Sequence, residues 1–409
     1  MKERHSYREG LTLEEAVACV TDITEPVRDV EWVKLSDCLG RILAQDMEAQ
    51  FDNPPFDRSP VDGYACRAAD TKGADRNHPV LLKVVEEIDA GQYSEREIRP
   101  GEAVRIMTGA AIPAGCDCCL RQESTNYGES TVEIYEEVSV HDNYCDRGED
   151  FKAGTQMMKA GEKLGYIETG NLAGMGCEKV PVYRRPRIAL ITTGDEVTLP
   201  GTPLLPGRIY NSNRFLLEAR LKELGCEAMW VESTGDDAMK VAEQVKRAAD
   251  RGADLILTTG GVSVGKKDIL HEALPLLGAV KLFWRVRLKP GTPTICSLYH
   301  GIPVISLSGN PFGAITNLEL LVRPMLARLT NDPSLQVQVV SGIMESSFPK
   351  ESRGRRFIRA IYGGGKVCLP DGLHSSGVLS SMKGCNCLVD IAPGTKALAP
   401  GDQVRVWLL

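Results

Sequence analysis

Residues 258–268, TTGGVSVGKKD, close an apolar run, DLILTTGG, with Gly260, Gly261 and Gly265 around Ser263, followed by two lysines. Two chemistries compete for this stretch. Gly261-Val-Ser263-Val-Gly265 fits G-x-S-x-G, the nucleophile elbow of serine hydrolases, which requires a helix after the serine, then an acid, then a histidine. His271, His300 and His374 follow, but His300 sits in a turn between strands and His374 in a β-rich tail. Lys266-Lys267-Asp268, not an apolar helix, follows the elbow. The second chemistry fits better. Glycines after a strand let backbone N–H groups converge on phosphate, with Ser263 as a hydrogen-bond partner and Lys266 and Lys267 as charge. The spacing is neither that of a P-loop nor of a Rossmann turn.

Carboxylates recur at comparable positions: Asp195 and Glu196 in TTGDEV, Asp236 and Asp237 in GDD, and Asp268. Each alone is most simply a helix cap. Together, at strand ends of one sheet, they suggest hard oxygen ligands for Mg²⁺. In WRVRLKPG, strand alternation predicts Arg285, Arg287 and Lys289 on one face, suited to an anion. The cysteines of CDCC (116–119) and CNC (385–387) lack C-x-x-C spacing and no histidine pattern completes a zinc set, so they read as structural.

These groups need a scaffold, and the chain has room for several domains: 409 residues, 43% hydrophobic and 25% charged. Residues 11–22 read as a helix with a Thr12/Glu15 capping box. Residues 80–140 carry short strands and turns of a small β-rich domain. Between 183 and 330, strands alternate with helices, which predicts a doubly wound, mostly parallel α/β sheet with ligands beyond the carboxyl ends of its strands. The turns after residues 193, 259 and 307 fall there. Residues 311–329 read as one closing helix, and the last 80 or so as a small β-barrel or sandwich. A net charge of −7 argues against nucleic-acid binding. No apolar run approaches the roughly 18 residues of a membrane helix, and the polar start MKERHSYREG predicts a cytoplasmic protein.

Taken in order, NPPFDRSPVDGYACR, VRIMTGAAIPAGCD, RGEDFKAG, TTGDEV, TTGGVSVGKKD, KPGTP and SGNPFGA resemble the MoeA family, the molybdopterin molybdenumtransferases, which are related to the E domain of gephyrin. The similarity runs from about residue 7 to 409. It implies insertion of molybdate (or tungstate) into adenylylated molybdopterin with Mg²⁺, releasing AMP. It also implies a homodimer with shared active sites, in which the D-G-Y-A region of one subunit faces the sheet edge of the other. The preceding enzyme, the molybdopterin adenylyltransferase, is a further candidate partner.

The resemblance carries Asp62 (D-G-Y-A), Thr108 (M-T-G-A), Glu196, Asp236 and Asp268 as catalytic residues, the last three as metal ligands. Asp150, Gly194, Gly260, Gly261, Ser263, Gly265, Arg285, Lys289, Gly309, Asn310 and Pro311 are the corresponding substrate contacts. It implies a linking domain at 1–48 and 141–182, an inserted β-rich domain at 49–140, the molybdopterin-binding domain at 183–330 and a C-terminal barrel at 331–409. The chain departs from the family pattern at Ser308, usually Pro; at Phe312-Gly313, usually Val-Ser; at Pro60-Val61, usually Ala-Met; and at Arg285, often Lys. Two alternatives remain: the adenylyltransferase itself, whose loop reads G-G-T-G instead of Gly260-Gly261-Val262-Ser263, and a non-catalytic scaffold.

Overall fold

The computed structural model describes residues 7–230, 235–262 and 269–409, so Ser263, Gly265 and Asp268 lie outside the described residues. The chain forms two compact units, one of Met1–Trp32, Gly40–Ala44 and Pro181–Leu409, the other of Val33–Leu39 and Gln45–Val180.

The first unit holds a seven-stranded sheet. From edge to edge it runs Arg8–Leu11, Val280–Val286, Ile295–Tyr299, Ile302–Leu307, Leu255–Thr259, Arg187–Thr192 and Glu227–Trp230. All neighbours are parallel except Ile295–Tyr299, which is antiparallel to both of its partners. Three adjacent inner strands, IPVISL, LILTT and RIALIT, are apolar nearly throughout because helices cover both faces. One face packs on Leu217, Leu221, Leu318 and Leu321, the other on Val241, Val245, Leu270 and Leu274.

The first strand and helix were expected in the linking domain; instead they complete this sheet. Arg8–Leu11 pairs with Val280–Val286. The Leu13–Asp22 helix, with its Thr12/Glu15 capping box formed, buries Leu13, Ala16 and Val20 in the same core. Residues 311–329 also differ from the single helix expected. Helices Pro311–Asn317 and Arg323–Leu329 are joined by a π-helical turn, Leu318–Val322. Pro324 lacks the N–H that an unbroken helix would direct at the Leu320 carbonyl, and its ring crowds that oxygen, so the turn widens.

A closed five-stranded barrel follows: Val339–Met344, Lys366–Cys368, Arg356–Gly363, Cys387–Ile391 and Gln403–Leu408. Its Arg359 is fully buried, with the guanidinium 3.8 Å from the Phe312 ring centroid. It donates to the Ser375 carbonyl at 2.6 Å, to Ser381 Oγ at 2.8 Å and to the Val378 carbonyl.

The second unit is built on a five-stranded sheet, ordered Cys118–Arg121, Gly63–Cys66, Glu102–Ile106, Val80–Ile88 and Thr131–Ile134. Its cysteines form no disulfide, Cys66 and Cys118 facing each other with sulfurs 3.8 Å apart. Among the described residues no helix is long and apolar enough to cross a membrane.

Candidate active site

Because Arg187–Thr192, Leu255–Thr259 and Ile302–Leu307 are adjacent and parallel, their carboxyl ends bring three turns together: Thr193-Gly194, Gly260-Gly261 and Ser308-Gly309. They pack backbone on backbone. Thr193 N–H donates to the Thr259 carbonyl at 2.9 Å, and Thr193 Oγ1 to the same oxygen at 3.2 Å. A side chain at Gly260, where φ is +91°, would place Cβ 2.6 Å from Thr193 Oγ1 and 2.7 Å from its carbonyl oxygen. No other residue fits there without displacing a neighbouring turn. A cavity of about 70 Å³ opens between these turns, lined among others by Gly260, Gly309, Pro311 and Glu196. Asn310 caps and Pro311 begins the helix beyond.

The acidic residues separate into distinct roles. Glu196 reaches the cavity and forms no ion pair among the described residues. Asp195 Oδ1 accepts the Asp236 N–H at 3.0 Å, so the first and second acidic turns meet there. Asp237 instead caps the Ala238–Asp250 helix, accepting from Met239 N–H at 3.0 Å and Lys240 N–H at 3.2 Å. Among the described residues no group of three or more metal-ligating side chains forms; the carboxylate oxygens of Glu196 and Asp236 are nonetheless hard donors that suit a cation such as Mg²⁺.

The basic residues of WRVRLKPG do not share one face. The strand ends at Val286, and Arg285 adopts φ +66°, which breaks the alternation. Arg285 lies over the Trp284 ring at 4.3 Å and pairs with Glu9 at 3.4 Å, on the edge strand. Lys289 and Arg287 instead line a second, larger cleft of about 780 Å³ with Arg353, Arg355 and Arg356 of the barrel segment. Backbone bonds fix this join: Lys289 N–H donates to the Arg355 carbonyl at 3.0 Å and Phe357 N–H to the Lys289 carbonyl at 2.8 Å. Arg355 is neutralised by Asp390 at 2.8 Å and Glu14 at 2.6 Å, and the hydrogen bonds it donates to Asp390 raise its pKa further. Lys289, Arg353 and Arg356 form no ion pair among the described residues, so the cleft keeps a positive surplus.

In the second unit, Asp62 and Thr108 meet although 46 residues separate them. Asp62 Oδ1 accepts both the N–H and the hydroxyl of Thr108 at 2.7 Å. The backbone bond first, and then the hydroxyl, hold this exposed carboxyl below the ordinary carboxylate range. Asp150 lies in another turn of the same unit, its carboxylate accepting from Asn53 Nδ2 at 2.9 Å.

Comparison with known proteins fits this arrangement. Residues 11–176 match the MoeA N-terminal region (domain I and II), residues 189–328 a probable molybdopterin binding domain, and residues 341–409 the MoeA C-terminal region (domain IV). A Bacillus subtilis protein named molybdopterin molybdenumtransferase is 35% identical over 93% of this chain and 90% of its own length. The chain belongs to the MoeA family. A Staphylococcus aureus molybdopterin molybdenumtransferase is 34% identical over 92% of this chain and 90% of its own. A solved MoeA structure from Pyrococcus horikoshii superposes with a TM-score of 0.85 at 31% identity, covering 98% of this chain and 99% of that one.

Against the MoeA motifs, several site residues went unnoticed in the sequence. Asn213 lines the small cavity with its amide bonded to the Gly309 carbonyl, and Thr193 interlocks the first two turns. Arg353 and Arg356 are others, and three arginines in four residues of RGRR was the signal available.

Proposed function

We propose that this MoeA-family chain is a molybdopterin molybdenumtransferase acting on adenylylated molybdopterin and molybdate. The observation that carries the reading is the interlocked set of turns at Thr193, Gly260 and Gly309 around a cavity that Glu196 also lines. Backbone N–H groups at such turns suit the pyrophosphate of the adenylylated pterin. The bond to be broken is the phosphoanhydride: an oxygen of molybdate or of water bonds to phosphorus as the bridging P–O bond breaks, and AMP is released. Glu196, Asp236 and Asp268 would hold Mg²⁺, which when bound neutralises charge on the departing phosphate.

The cleft with Lys289, Arg353 and Arg356 supplies a second anion-binding site, opposite in charge to a tetrahedral oxyanion. The reading extends to a cytoplasmic homodimer whose active sites are shared, with Asp62 and Thr108 of one subunit completing the site of the other. The test is incubation with adenylylated molybdopterin, Mg²⁺ and molybdate or tungstate, with AMP followed by chromatography. Oxyanion-dependent AMP release is expected. Consumption of ATP with free molybdopterin, and no AMP release, would identify an adenylyltransferase; neither activity would leave a scaffold.

A further inference from the structure

Two asparagines flank Ser212 at the start of helix Ser212–Glu223. Asn211 caps it, Oδ1 accepting the Arg214 N–H at 3.1 Å, and reaches back with Nδ2 to Thr192 Oγ1 at 2.8 Å. Asn213, in the first turn, donates from Nδ2 to the Gly309 carbonyl at 2.7 Å. One helix terminus therefore holds both the end of the Arg187–Thr192 strand and the turn after Ile302–Leu307. Both asparagines line the small cavity, and they are only 3% and 9% exposed. Helix stability does not call for Asn213, since asparagine is a weak helix former. Nor does its own satisfaction, because Oδ1 has no partner among the described residues.

We propose that Asn213 is a positioning residue of the active site: by holding the Gly309 carbonyl it fixes the G-N-P turn against the Gly260 backbone. A Cβ at Gly309 would stand 3.4 Å from Gly260 Cα, so a small tilt of this turn changes the cavity directly. Displacements of about 1 Å in such a frame cost on the order of a hundredfold in rate. The proposal rests on the transferase reading for its kinetic consequence but not for its structural one.

Asn213→Asp keeps the shape and replaces the donor by an acceptor facing the Gly309 carbonyl. Amide exchange followed by mass spectrometry should show faster exchange in peptides covering 308–311, with the Ser212–Glu223 helix and the Arg187–Thr192 strand unchanged. The kcat for AMP release should fall at least about tenfold, the scale of a lost hydrogen bond, with a smaller change in KM. Asn213→Gln, which keeps an amide donor, should recover part of it. Where Asn213→Asp does not fold, Asn213→Ser tests the same bond without added charge. Unchanged exchange at 308–311 overturns the brace. Faster exchange across the whole helix, or faster turn exchange with wild-type kcat, reduces Asn213 to a structural residue and overturns the proposal. If the wild-type protein itself releases no AMP, the transferase reading fails while the exchange measurement still decides the brace.

Discussion

Ser308 and Gly313 fit one another: a Cβ on Gly313 would stand 2.7 Å from Ser308 Oγ and 2.9 Å from Ser308 Cβ. Ser308 Oγ in turn accepts the Asn310 N–H at 3.3 Å, closing the turn that a proline would otherwise stiffen. Glycine in place of the usual serine at 313 therefore leaves the space that the Ser308 side chain occupies. The neighbouring Phe312 sits under Arg359 and donates its N–H to the Ser376 carbonyl at 3.0 Å, tying the same turn to the barrel segment.

The coupling is measurable. Gly313→Ser alone should destabilise the protein by about 1–3 kcal/mol through overpacking. Adding Ser308→Gly should recover part of this, giving an interaction energy of at least about 0.5 kcal/mol in urea unfolding. Strict additivity of the two single changes would show that the residues do not share this space.

Arg359→Met removes the donor to three acceptors in the barrel segment. A buried acceptor left without a donor costs about 1–3 kcal/mol, so a loss of at least about 2 kcal/mol is expected. Arg359→Lys should recover little, because one ammonium cannot reproduce the planar fork. A lysine variant as stable as wild type would refute the hydrogen-bond account.

Asp62 should titrate below the ordinary aspartate value, about 3.9, when followed by carboxyl NMR. Thr108→Val should raise its pKa only in part, since the larger cause, the Thr108 backbone N–H, remains. The sign follows: a depressed folded pKa favours folding above the unfolded value, and that contribution is lost as pH falls through the folded pKa. Activity between pH 5 and 8 should therefore show no inflection from Asp62. An Asp62 pKa at or above the unfolded value would remove the Thr108 bonds from consideration.

Glu196→Gln keeps the shape of the cavity wall and deletes its charge. AMP release should fall at least about a hundredfold, as for other key electrostatic groups, with the melting temperature nearly unchanged. Near-normal turnover would take Glu196 out of the chemistry.

Co-refolding Asp62→Asn and Glu196→Gln subunits tests the shared site. In a two-fold dimer with sites built from both subunits, a mixed dimer gathers both lesions in one site and leaves the other intact. About half the dimers are mixed by statistics, so roughly a quarter of wild-type activity should return. Mixed dimers confirmed by mass spectrometry with no gain over the separate mutants would place the whole site within one subunit.

What the sequence made legible was local. The Thr12/Glu15 capping box and the three glycine turns were readable because each depends on residues a few positions apart. Arg285, Arg287 and Lys289 misled because strand alternation presumes regular backbone, and one residue at φ +66° ends it. Asn213 was invisible for another reason: its partner, Gly309, lies 96 residues away and offers only a carbonyl, which every residue has. Likewise, the strand Arg8–Leu11 carries no mark of the sheet it joins.

That strand has a consequence for synthesis on the ribosome. Its partner, Val280–Val286, is made about 270 residues later, at roughly 5–20 residues per second. For some tens of seconds the first strand and the Leu13–Asp22 helix must wait with their apolar face uncovered, while Gln45–Val180 already has its own cores to close. The N-terminal segment is thus translated first and folded late, and a nascent chain stalled before residue 280 would display it as a ready site for a chaperone.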